Sequence, residues 1–184
     1  SKEELLKRLK ERNERLNEDS ERLAREIKRR LEELRKEHRR LLKEIEERLK
    51  ELEEDIRRKD VPEEKLERLK REIDRLREEL KEHHKRVKDE LDRLKKRLED
   101  IKKDHDRKDR KVKEELEDMA RRDLDEEDVK RVIRRWEELL KELEKDNRRV
   151  VKEAKELIDR LERNIRERIK EVRDALREIR KKVK

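Results

Sequence analysis

The sequence predicts an all-α fold: a straight, elongated, antiparallel three-helix bundle, up-down-up, forming one unit over residues 1–184 on an untwisted 18-residue repeat. Three observations predict it. From Leu5, seam positions recur at 5, 9, 13, 16, 20, 23, 27, 31, 34, 38, 41, 45, 49, 52 and 56, in steps of 4, 4, 3, 4, 3. Eighteen residues in five turns is 3.6 per turn, the period of a straight helix, whereas a strict heptad would impose a left-handed supercoil. The same spacing returns from Leu66 to Met119 and from Val129 to Val183. Two breaks interrupt it with one spelling, Asp60-Val61-Pro62-Glu63-Glu64-Lys65-Leu66 and Asp123-Leu124-Asp125-Glu126-Glu127-Asp128-Val129.

Those breaks set the elements in order. The first helix spans about 2–58, the second about 62–121 and the third about 126–183, with ends good to two or three residues. Pro62 fits at or near the first helical position and would break a continuing helix. At the other break Asp125 is a good N-cap, Asp128 lies three residues on, and Leu124 can staple to Val129. Short connections between long helices make antiparallel neighbours. A stripe one or two residues wide suits a closed three-helix interior and leaves no second apolar face for a membrane or an obligate partner. A monomer is therefore expected, with no partner required.

Composition narrows the function classes. The chain has 65 Lys or Arg and 57 Asp or Glu among 184 residues, a net charge of +8, and no Gly, Cys, Phe, Tyr, Thr or Gln. Disorder is the reflex reading, yet 45 residues are Leu, Ile or Val, above the roughly 20% below which chains fail to order. The absence of cysteine excludes disulfides, thiolate zinc sites and a cysteine nucleophile. No stretch approaches the roughly 18 apolar residues of a membrane span, and SKEELLKRLKER lacks the apolar core of a signal peptide. The expectation is a soluble chain without a targeting signal, consistent with cytoplasmic recombinant expression, its compartment unreadable.

Several seam positions are polar: Asn13, Ser20, His38, His83, His105, Asp109 and Asn147. Each occupies a slot that is apolar elsewhere in its helix, as His38 does that of Ile56 and Asp109 that of Ile73 and Leu91. In a hairpin turning near residue 60, level residues of the first two helices sum to about 121 and those of the next pair to about 247, so the third helix runs about 126 ahead of the first. His38 then faces His83 with Asn164 beside them, Ser20 meets Asn147, Asn13 meets Asp109, and His105 can reach Asp109 one turn away. A buried polar group needs its partners, so level grouping is what an ordered core requires. The expected role is control of register and topology, with acid sensitivity wherever an imidazole is buried.

The small alphabet, the 18-residue straight repeat, the Glu-Glu helix starts and these His/Asn/Ser layers together resemble computationally designed parametric helical bundles with buried hydrogen-bond networks. The resemblance covers the whole chain. It implies a scaffold without natural activity, acid-responsive where histidines line the core, or else a three-helix component of a designed heterodimer or switch that binds a partner helix or self-associates. The doubled apolar pairs Val132/Ile133 and Leu139/Leu140 give that second reading its footing. Asp109 departs from the usual neutral network.

Other functions fare poorly. Isolated charged helices would have no use for periodic leucine. Two level imidazoles fall short of a zinc site, and His84 projects about 100° from His83, toward the seam edge or solvent. Ser20, His105 and Asp109 form the nearest catalytic constellation, but a narrow interior offers no cleft, so no enzyme, cofactor or metal is expected. The basic excess is even, at +2, +3 and +3 over 1–58, 59–122 and 123–184. Without a basic stripe or stacking aromatics no nucleic-acid partner is expected. Trp136 is expected in the core.

Overall fold

A computed structural model describes residues 2–183 as three helices, α1 (Lys2–Arg58), α2 (Glu63–Arg121) and α3 (Glu126–Val183). Each first turn carries at least two acidic residues and each last turn at least one basic residue, matching the helix dipoles. The fold is an all-α three-helix bundle, and among the described residues there is no strand.

The connectors form without glycine and without positive φ. Pro62 stands next to the first helical position: its carbonyl accepts the Leu66 N–H at 2.9 Å, which makes Pro62 the cap and Glu63 the first helical residue. Proline lacks an N–H that this position has no use for. At the second break the Asp125 carboxylate accepts the Asp128 N–H at 2.9 Å while its carbonyl accepts the Val129 N–H at 3.0 Å. Such a cap contributes about 1 kcal/mol. Leu124 packs against the cluster that contains Val129, as a hydrophobic staple requires.

Two compact units emerge, each with one stretch of every helix. Among the described residues the first comprises 2–29 and 94–156, the second 30–93 and 157–183. In the first, Leu9, Leu16, Leu116, Ile133, Leu140 and the sole tryptophan, Trp136 at 3% exposure, share one core cluster. Of the doubled pairs, Ile133 and Leu140 are buried there while Val132 and Leu139 are half-buried against it. In the second, Ile45, Leu49, Leu52, Leu69, Ile73, Ile158 and Ile165 are fully buried. Burying a branched aliphatic side chain contributes about 1.5–3 kcal/mol, which is why so sparse an apolar stripe suffices.

Within each unit α1 and α2 run antiparallel and α1 and α3 parallel. Paired residues of α1 and α2 run in opposite order, as with Lys2 and Arg122 or Asn17 and His105 in the first unit and His38 and His83 or Glu53 and Arg77 in the second. Paired residues of α1 and α3 rise together: Arg12 with Glu144 in the first unit, Arg30 with Asp159 and Glu44 with Arg173 in the second. Their separations are 129 or 132 residues. The sequence predicts an offset of about 126, so α3 is displaced by about one turn.

Candidate functional site

The polar seam residues form separate groups. In the second unit, slots otherwise filled by isoleucine or methionine carry His38 on α1 and His83 on α2. His38 is 3% exposed and His83 half-buried. Their rings meet edge to face, with centroids 5.1 Å apart and planes at 75°. His84 is exposed at its residue surface, yet its ring stacks on His38 at 5.7 Å and 14°. Helical spacing sends His83 and His84 to different directions, and the small His38 ring lies between them.

Both ring nitrogens of His38 and Nε2 of His83 are buried without a hydrogen-bond partner from the protein. Burial therefore dominates their chemistry. It pushes the His38 pKa down to about 4, with the neighbouring His83 and His84 adding to the shift. Burial also lowers that of His83, followed by the charges of Arg168 and Arg86 and by His84. Arg168 in turn pairs with Glu79 at 3.8 Å. Acid would place a proton in a cluster whose neighbouring charges, Arg168 and Arg86, are already positive.

Asn164, expected level with this pair, is exposed. The one-turn displacement of α3 explains the difference, because it brings Arg168 rather than Asn164 toward the histidines.

In the first unit the polar group crosses from α1 to α2. Asn13, 2% exposed, donates its Nδ2 to Asp109 Oδ1 at 2.8 Å, and Asn17 Nδ2 reaches the same oxygen at 2.5 Å. His105 Nε2 lies 2.9 Å from Asn17 Oδ1. Lys113 closes the chain on the other Asp109 oxygen at 3.2 Å. Burial raises the Asp109 pKa, but the hydrogen bonds from Asn17, Asn13 and Lys113 outweigh it and hold the carboxyl below its usual range.

His105 meets Asn17 instead of Asp109, because Asn17 stands between them and can accept from the ring while donating to the carboxylate. Asn17 itself was missed. It lies beside the seam, but its position four residues after Asn13 puts both amides on one face, and that signal was present in the sequence.

Ser20 and Asn147 are half-buried and line a cavity of about 60 Å³ together with His105, Ala24, Ile27 and Leu98. Asn147 Nδ2 is buried there without a partner. The cavity arises because α1 offers Ser20 and Ala24 where the repeat elsewhere carries larger side chains. Over residues 17–26, 94–111 and 141–153 no apolar side chain is fully buried. Ser20, His105 and Asp109 do not form a nucleophile chain: His105 Nε2 and Asp109 Oδ1 are both engaged by Asn17. Among the described residues no group of three or more His, Cys, Asp or Glu can hold a metal ion, and no helix is long and apolar enough to cross a membrane.

No protein-family model and no curated protein matches the chain. A solved structure titled "Computationally designed three helix bundle" is 22% identical to it, with 99% of this chain and 86% of that chain covered and a TM-score of 0.44.

Proposed function

We propose that this chain is a designed structural scaffold without natural biochemical activity, in which the polar layers select one register and the histidine layer makes the second unit acid-sensitive. The observation that carries the reading is His38: an imidazole 3% exposed, with neither nitrogen partnered, in a slot that the repeat fills with Ile56. A side chain so costly at that height disfavours slid or swapped pairings in which it would face leucine alone. The Asn13–Asn17–Asp109 hydrogen bonds serve the same end in the first unit, since any shift of α1 against α2 strands two amides.

The partner-helix alternative has less support, because among the described residues no large hydrophobic side chain is exposed. Light scattering and circular dichroism over one pH series test both readings. The expected result is a monomer at neutral pH whose helicity fails at lower denaturant in acid. A dimeric mass at neutral pH would favour the partner reading, and a pH-independent midpoint would reject the acid-sensitive one.

A further inference from the structure

We propose that the groove between α1 and α3 in the second unit is a binding site for a small multivalent oxyanion of the phosphate or sulfate class. Arg173, Arg177 and Arg180 stand at i, i+4 and i+7 on one face of α3, and Arg48 faces them from α1 across a cleft of about 360 Å³. Leu52 and Leu176 supply its apolar lining, and Glu51 is the single carboxylate among the lining residues.

The four guanidiniums outnumber the carboxylates beside them, Glu51 in the lining and Glu44 at its edge, unlike the rest of the α1–α3 boundary. Elsewhere arginines there meet acids across the helices, as Arg12 meets Glu144 and Arg30 meets Asp159 and Glu162. In the cleft, Arg173 reaches Glu44 at 3.3 Å, but its Nε is buried without a partner. Arg48, Arg177 and Arg180 make no ion pair among the described residues. Complementing the α3 dipole accounts for Arg180 in the last turn and not for Arg173 or Arg177, which stand before it.

Like charges one turn apart repel, and an anion between them relieves that repulsion. The planar guanidinium fork matches an oxyanion's paired oxygens better than an ammonium does. A concave, partly apolar wall focuses the field onto the bound charge. The geometry thus suits a compact, multiply charged ion with oxygens on two sides, such as pyrophosphate.

Calorimetric titration of the full chain with sodium pyrophosphate, at low and at physiological ionic strength, tests this. The expected result is one saturable site that weakens with salt. R177E/R180E should weaken it at least about tenfold, since each lost charged hydrogen bond is worth about that factor. The exposed pair R134E/R135E in the first unit removes the same charge and should leave binding within about twofold. R177K, which keeps the charge and loses the fork, should fall between. Unsaturable heat, or equal weakening by the two double variants while helicity is retained, would overturn the site as mere attraction to a basic protein.

Discussion

Replacing His38 with leucine is expected to raise the urea midpoint at neutral pH and to remove most of its acid dependence. The folded His38 titrates near 4, whereas a free imidazole titrates near 6.5. Above 6.5 both states are neutral and the folded chain has its full stability. Between 6.5 and about 4 the unfolded chain takes up a proton that the folded core refuses, so stability falls as pH falls, and the loss is complete below the folded value. The shift corresponds to roughly 3 kcal/mol, most of it lost by about pH 4.5. His83, lowered in the same direction by burial first, adds to the loss.

In His38→Leu that dependence disappears for one ring. Two unpartnered nitrogens also leave the core, a gain of about 1–3 kcal/mol at neutral pH. Midpoints at about pH 7.5 and 4.5 measure both effects. A variant as pH-sensitive as the parent would place the acid response elsewhere, among the carboxylates.

The second large effect is expected from Asp109→Ala. Asp109 Oδ1 accepts both Asn13 and Asn17. Without it two amide donors lose their acceptor, one of them on a side chain only 2% exposed. The expected loss is about 2–4 kcal/mol, more than an exposed aspartate could account for. Replacing Asn13, Asn17 and Asp109 together by apolar residues should recover most of that loss, because no stranded donor remains. Denaturation of the single and triple variants checks this, and equal losses in both would reject the network as the cause. Asp109 also contributes to acid behaviour: its pKa is held down, so its stabilisation is present above the ordinary carboxylate value and is lost only as pH falls through the lower folded value.

Helix location was legible because a 3.6-residue apolar period admits little else. Ends were legible where their chemistry is explicit, as at Asp125 through its carboxylate and at Pro62, which cannot continue a helix. Heights were legible between α1 and α2, joined by one short turn: residues 38 and 83 were paired by arithmetic, and their rings meet. Between α1 and α3 the same arithmetic passes through two turns and gathers about one helical turn of error, enough to exchange Asn164 for Arg168. Hydrogen-bond partners were the least legible. Whether His105 meets Asp109 or Asn17 depends on side-chain reach across a helix pair, which periodicity along one helix does not encode.

Trp136 gives the molecule an uneven voice. As the sole indole, enclosed among the side chains of the first unit, it makes ultraviolet emission a witness to that unit alone, while peptide-bond dichroism sums over every turn of helix. Acidification that loosens the surroundings of His38 should therefore dim the dichroism before the emission changes colour. Simultaneous change in both signals would mean that the chain melts as a single cooperative body.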